Sequence, residues 1–302
     1  MKELLILVSK KGKKKQQLTD FLNEDLKGKA TVTLGKFSDL TIKLDGEKVV
    51  VKLGDKDITD FDLVYYRRAG SDFLSLAGTL SICLDALGIE FMDSTFKYIG
   101  PAGSKLTSLT KLSLSGLPIM PSFFCDREKI EDYADFIISE YSFPIVAKEL
   151  ASHRGKGIHL LKTKEDFKFW RETEPESQFI FQSFYPNEKE YRLLVLGDKV
   201  AIFERKIRTD IKEFRSNVSL GAEEEFLDVE TAPAEMKEIV VKAAKVLNLE
   251  IAGADVLIDS NTGKQWILEA NRGPGLTYDT NVSPELKQLA LFFAKKMEIN
   301  HE

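Results

Sequence analysis

The chain has 302 residues, 43% hydrophobic and 30% charged, with 43 basic against 48 acidic side chains and a formal net charge of −5. That mixture excludes a wholly disordered, collagen-like or fibrous chain and gives no general electrostatic drive toward nucleic acid, while leaving room for a local phosphate-binding cleft. Cys83 and Cys125 are the only cysteines, too few for a disulfide scaffold or a four-thiolate zinc site, and His153, His159 and His301 are too scattered for a histidine-rich metal centre.

The opening MKELLILVSKKGKKK carries a short apolar run that ends in lysines. A signal peptide places its positive charge before a longer apolar stretch, so a buried first strand is the expectation. No apolar run reaches the roughly 20 residues of a membrane-spanning helix. A cytoplasmic protein of two or three domains, without membrane or nucleic-acid partners, is expected.

The first hundred residues predict an α/β domain, with strands over Leu4 to Val8 and Leu63 to Tyr66 and a helix over Phe73 to Leu87. Between them TVTLGKF, LTIKLDG and KVVVKLG read as strand pairs or a small inserted meander. Gly100, Pro101 and Gly103 interrupt the pattern and set the first domain boundary, after which SKLTSLTKLSLSGLPIMP predicts a short helix and a turn. KIEDYADFIISEY has helical spacing and FPIVAKEL strand spacing. Farther on, QFIFQSFY, YRLLVLGDKVAIFERKI and ADVLIDSNTGKQWILEAN read as strands. The intervening TAPAEMKEIVVKAAKVLNL reads as a helix capped by Thr231, with Pro233 in its first turn and a buried stripe of Met236, Ile239, Val240, Ala243 and Leu247. A final helix, capped by Ser283, covers the sheet.

Three segments carry candidate chemistry. Asp255 and Glu269 fall on strands joined by a polar turn near Asn261 to Gly263, and period-two geometry puts Glu269 and Asn271 on one face, where a carboxylate and an amide oxygen can converge on a hard cation. Acidic residues on a solvent-facing strand and a simple Asn271-Arg272-Gly273 turn are the alternative. In FPIVAKEL, Lys148 interrupts an apolar strand and can reach from a core to an anion. The following SHRGKG supplies Arg154, Gly155, Lys156 and Gly157, a flexible, positive backbone suited to polyphosphate, or else a solvent-facing hairpin. Neither GxxxxGK[ST] nor, in this loop, GxGxxG is present. Arg67 and Arg68 in YYRRAG follow a strand and suit a carboxylate-bearing substrate, with a structural ion pair or an exposed strand end as the alternative.

Taken in order, these segments resemble the ATP-grasp superfamily, in particular peptide-modifying and ribosomal-protein glutamate ligases and glutathione-synthetase-like ATP-binding proteins, over most of residues 100 to 280. The resemblance implies an α/β fold of the ATP-grasp kind: an amino-terminal α/β substrate domain over 1–100, a first lobe with the glycine-rich loop over 101–183 and a second lobe with the metal site over 184–302, the two lobes enclosing the nucleotide. It implies ATP and Mg2+, as two ions, with Mn2+ an alternative metal. Lys105 matches an early nucleotide-contact lysine and Lys148 the strand lysine. Gln182, Ser183, Phe184 and Tyr185 match the segment lining adenine, Glu190 the ribose side, and Arg192 the arginine that follows an acidic residue. Arg205 is placed toward phosphates or the acyl intermediate, Arg215 and Asn217 of EFRSN beside phosphates or substrate, and Asp255, Glu269 and Asn271 on magnesium. Ala151 stands where related loops open with glycine, and Glu149 where proline is common.

The implied reaction is ATP-dependent carboxylate–amine ligation through an acylphosphate, with Lys148, Arg205 and Arg215 as the catalytic cations. The substrates implied are an amino acid or peptide with a carboxylate and an amine acceptor, and a homo-oligomer is compatible with the sequence. A nucleotide-binding module without ligase activity and an ATP-dependent phosphotransferase are the alternatives.

Overall fold

The computed structural model describes every residue except 47, 70, 71, 93–95, 97–103, 152–156, 186–188, 208–222, 273, 278 and 297–302, and the side chains of 14, 68, 272 and 293–296. The chain divides into two compact units, one of residues 1–114, 121–151 and 157–184, the other of 115–120, 152–156 and 185–302.

The first unit opens with β1 (Lys2–Val8), α1 (Lys13–Asp25) and β2 (Ala30–Lys36), continues through β3 (Leu40–Asp45), β4 (Lys48–Leu53) and the two-residue β5 (Lys56–Asp57), and returns through β6 (Leu63–Arg68), α2 (Leu74–Ala86) and β7 (Glu90–Met92). β2, β1, β6 and β7 form a parallel sheet in that order. The unbroken apolar run of β1 follows from burial on both faces, the usual condition of parallel strands. Ile6 and Val8 pack with Val32 and Leu34 against Leu18 and Leu22 of α1 and Leu26 just past its end. On α2, Ser81 donates to the Tyr66 hydroxyl at 3.2 Å.

β3 to β5 leave that sheet. They join β8 (Ser122–Cys125), β9 (Ile145–Glu149), β10 (Ile158–Leu161) and β11 (Phe179–Ser183) in a seven-stranded antiparallel sheet ordered β10-β9-β11-β8-β3-β4-β5. The inserted meander read from the sequence, which ends at Asp57, thus lengthens a sheet whose other strands begin only at Ser122. α3 (Lys105–Leu114) and α4 (Ala134–Tyr141) belong to the same unit. α3 is tied to α2 by a buried Thr79–Thr107 hydroxyl pair at 2.6 Å, and Ser113 donates to the Gly46 carbonyl. α4 starts later than its apolar spacing predicts. A short helical turn over Arg127–Lys129 comes first, capped by Asp126, whose carboxylate accepts from the Glu128 N–H at 3.0 Å. The Arg127 side chain is pinned there, with one guanidinium nitrogen donating to the Trp170 carbonyl at 2.8 Å.

The second unit is a five-stranded antiparallel sheet of β12 (Lys189–Leu196), β13 (Lys199–Ile207), β14 (Glu223–Leu227), β15 (Ile251–Ile258) and β16 (Gln265–Arg272), ordered β14-β13-β12-β15-β16. The helix α5 (Ala234–Val246) buries Met236, Val240, Ala243 and Ala244, and its Met236, Val240 and Ala244 pack with Leu193, Val195, Phe203 and Val256. Its first residue follows Pro233, which occupies the cap position; Thr231 instead donates its hydroxyl to the Asp228 carbonyl at 2.6 Å. The sheet's other face packs Leu194, Leu196 and Ile202 against Leu289 of α6 (Glu285–Lys296), where Ser283 accepts from the Glu285 N–H at 3.2 Å as expected of a cap. No helix among the described residues is long and apolar enough to cross a membrane.

Candidate functional site

Strand register decides which side chains share a face. Arg192 on the central β12 stands opposite Glu204 on β13 and Asp255 on β15, Glu190 opposite Lys206, and Asp255 opposite Glu269, which is two residues from Asn271. Directly paired residues project to the same side of an antiparallel sheet. The face that carries Leu194 and Leu196 at one end therefore carries Glu190, Arg192, Glu204, Lys206, Asp255, Glu269 and Asn271 at the other.

These groups form a bonded network. The Arg192 guanidinium grips Asp255 with both arms, Nε to Oδ1 at 2.9 Å and Nη2 to Oδ2 at 3.0 Å. Lys206 Nζ donates to Asp255 Oδ1 and to Glu190 Oε1, both at 2.9 Å. Asn271 Nδ2 donates to Glu269 Oε1 at 2.7 Å. Burial by itself would neutralise Asp255, but Lys206 and then Arg192 outweigh it and hold the carboxyl well below the usual carboxylate range. Asp255 in turn raises Arg192. Burial disfavours the Lys206 ammonium, yet Asp255 and Glu190 more than restore it.

Glu204 behaves differently. It is 2% exposed, and its Oε1 has no hydrogen-bond partner among the described residues. Burial, reinforced by Glu224, pushes its carboxyl up to about 8. Glu204 and Lys206 were not singled out from the sequence. Their signal was the alternation of FERK against EYR, which sends residues 204 and 206 to the side of Arg192. The same alternation takes Arg205 away: it lies on the face that carries Phe203 and pairs with Glu225 at 2.8 Å.

Glu269 and Asn271 together offer the hard oxygen donors that magnesium prefers. Asp255 is differently placed, since Arg192 and Lys206 both donate to its Oδ1, while Oδ2 accepts from Arg192 alone and keeps a lone pair. No group of three His, Cys, Asp or Glu side chains among the described residues is arranged to hold a metal. Gly253, opposite Asn271, is fixed by a close approach: a Cβ there would stand 2.6 Å from Cβ of Pro274.

In the first unit, Lys148 and Gln182 share a face of the seven-stranded sheet, because Lys148 pairs with Ile180 and Gln182 with Val146. Gln182 is buried, donates Nε2 to Ser122 at 2.7 Å and leaves Oε1 without a donor among the described residues. A buried carbonyl oxygen awaiting a donor fits the exocyclic amino group of adenine. Ser183 points to the other face, where it donates to the Tyr141 carbonyl at 3.3 Å; the Phe184 N–H donates to Pro144, and Tyr185 is half-buried. Lys105 stands at the first turn of α3. Gly157 takes a left-handed φ of 63° and accepts from the Glu149 N–H at 2.8 Å, closing the β9–β10 hairpin. Arg154, Gly155, Lys156, Arg215 and Asn217 lie outside the described residues, as do Gly100, Pro101 and Gly103. Cys83 and Cys125 are buried, and burial pushes the Cys83 thiol up to about 12, so neither presents a thiolate.

The mixed α/β architecture with a charged antiparallel sheet is the one the ATP-grasp resemblance implied, and residues 102–283 match the RimK-like ATP-grasp domain family. The chain belongs to that family. It is 32% identical over 243 residues to a probable alpha-L-glutamate ligase of Desulfotalea psychrophila, a match taking in 78% of this chain and 49% of the relative, so it spans about half of that protein's length. A probable alpha-L-glutamate ligase of Legionella pneumophila is 29% identical over 233 residues, 74% of this chain and 72% of the relative. Among solved structures, the D-alanyl-alanine synthetase A of Vibrio cholerae is similar with a TM-score of 0.50 and 13% identity, covering 97% of this chain and 96% of that one, which is a likeness of fold.

Proposed function

We propose that this protein is an ATP-dependent carboxylate–amine ligase acting on an amino acid or peptide. The observation that carries the reading is the charged face of the five-stranded sheet, where the buried Lys206 and the half-buried Arg192 sit beside the Glu269–Asn271 pair. Family membership and two relatives described as probable glutamate ligases support it.

In this reading ATP supplies the phosphoryl group that converts a carboxylate to an acylphosphate, and magnesium neutralises phosphate charge. Glu269 and Asn271 would hold the metal, with Asp255 Oδ2, which accepts a single hydrogen bond, available as a further oxygen donor. Lys148 and Lys105 sit against phosphate oxygens and Gln182 Oε1 against adenine. Arg154, Lys156, Arg215 and Asn217 are assigned to phosphates through the family motif, and Glu190 to the ribose side. Arg192 and Lys206 are then the cations of the charged face placed to stabilise negative charge as it develops, an effect that fixed, water-excluded groups deliver best. The amine loses a proton and bonds to the acyl carbon while the carbon–oxygen bond to phosphate breaks.

The test incubates the protein with Mg2+-ATP and pools of amino acids and peptides, following intact product mass together with ADP and phosphate. Condensed product with both ADP and phosphate is expected. A phosphorylated product without condensation, or nucleotide binding without substrate-dependent turnover, would replace the ligase reading. Glu269→Gln is expected to lower magnesium-dependent turnover by about 100-fold or more; unchanged turnover removes the metal assignment.

A further inference from the structure

We propose that Thr277 is a positioning residue for the Glu269–Asn271 metal pair, held by carboxylates from two other elements so that the chain beyond β16 keeps one course. The metal rests on the ligase reading above; the geometry rests on hydrogen bonds within the second unit. Thr277 follows Asn271 by six residues, is half-buried, and lies in a stretch that is neither helix nor strand. A backbone N–H there has no ladder partner, and a side chain must supply one.

Both donors of Thr277 are used. Its N–H donates to Glu285 Oε2 at 2.7 Å and its hydroxyl to Glu224 Oε2 at 2.5 Å. Glu285 is the first residue of α6, and Glu224 lies on β14, the outermost strand of the sheet. Two residues upstream fix the same stretch. Pro274 stands on Gly253, whose strand partner is Asn271, and Leu276 packs with Leu194, Leu196 and Ile202. The stretch is thus anchored to β15 beside the metal pair, to the apolar end of the same face, and to β14 and α6.

Helix capping accounts for only part of this. Ser283 donates its hydroxyl to Glu285 Oε2 at 3.0 Å and accepts from the Glu285 N–H, a cap complete within the start of α6. It explains Glu285 and leaves the bond from Thr277 to Glu224, 53 residues away, unexplained. Electrostatics opposes the arrangement. Burial raises the Glu285 carboxyl and Glu224 adds to it, against the bonds from Thr277 and Ser283, and Glu224 acts on Glu204 in the same sense. Gathered carboxylates that local stability disfavours are the pattern expected beside a functional site. The gain is in the metal pair. Asn271 Nδ2 is committed to Glu269 Oε1, so Asn271 presents its carbonyl oxygen to the cation. Magnesium demands oxygens at about 2.1 Å in near-octahedral array, so a strand end displaced by roughly 1 Å loses a ligand.

The experiment titrates Mn2+ into the full chain with a nonhydrolysable ATP analogue and reads water-proton relaxation enhancement, which separates protein-bound from nucleotide-bound Mn2+. Thr277→Val, which keeps the shape and removes the hydroxyl, should weaken Mn2+ binding about tenfold, and Thr277→Ser should stay within about twofold of the wild type. Glu224→Ala cuts the same bond from the other side, serves if the first variant fails to fold, and should add little to Thr277→Val in the double variant. Thr231→Val is the control: it removes a 2.6 Å hydroxyl bond elsewhere in the unit and should lower the melting temperature while leaving Mn2+ binding within about twofold. Unchanged Mn2+ binding in Thr277→Val, an equal loss in Thr231→Val, no restoration by serine, or no Mn2+ binding by the wild type overturns the proposal. A Thr277-dependent Mn2+ site without condensed product in the mass screen rejects the ligase and keeps the positioning role, whereas condensed product with Mn2+ binding indifferent to Thr277 does the opposite.

Discussion

Two regions of this molecule treat positive charge in opposite ways. At the edge of the parallel sheet, Lys10, Lys11, Lys13 and Arg67 are exposed and no carboxylate among the described residues pairs with them. On the antiparallel sheet, Lys206 is 2% exposed at its side chain and Arg192 19%, and both are bonded to Asp255. The difference is one of solvation. Water supports an exposed ammonium, so it needs no fixed partner, whereas a buried cation requires a carboxylate placed by the fold. The comparison separates charge left to solvent from charge that holds the sheet together.

Removing Arg192 should break the contrast most severely. Arg192→Ala leaves Asp255 buried with half its partners and is expected to cost about 3–5 kcal/mol in urea unfolding; a loss below about 1 kcal/mol would show that the network is not structural. Gly253→Ala pushes a Cβ into Pro274 and is expected to cost about 1–3 kcal/mol by the same measurement, with Asn271 disturbed because it stands directly opposite.

Glu204 sharpens the buried side of the comparison through pH. Its folded value near 8 lies above the ordinary 4.5, so its contribution to stability is fully present below about pH 4.5 and is lost as pH rises through 8. Asp255 runs the other way: its lowered carboxyl contributes above its ordinary 3.8 and is lost only in acid, leaving it constant over this range. Thermal melts between pH 5 and pH 9 should therefore show a decline in the wild type that Glu204→Gln flattens; parallel curves would contradict it. The smallest effect belongs to an exposed pair. Lys2→Ala removes the 2.5 Å contact with Asp62, yet with Lys2 77% exposed the change in urea unfolding should be slight and shrink with salt.

Much of the fold was legible. The run LLILV announced a strand buried on both faces, the Met236 to Leu247 stripe announced α5, and the spacing of Asp255, Glu269 and Asn271 announced one face of a hairpin. The destination of β3 to β5 was not legible, because a strand's partner depends on which edge is free and β8 lies far along the chain. Thr231 looked like a cap by composition, but the chain enters α5 through Pro233, and a hydroxyl two residues upstream finds a nearer carbonyl.

The candidate site divides along the same line. Residue types, strand periods and family motifs were set by the sequence, since side-chain alternation needs no tertiary information. Which strands lie adjacent was decided only by folding, and that adjacency gave Asp255 to Arg192 and Lys206, left Glu204 buried without a full set of partners, and turned Arg205 to the other face. The local code specifies what each strand can present; pairing across the sheet determines which charges meet, and burial determines how strongly they interact.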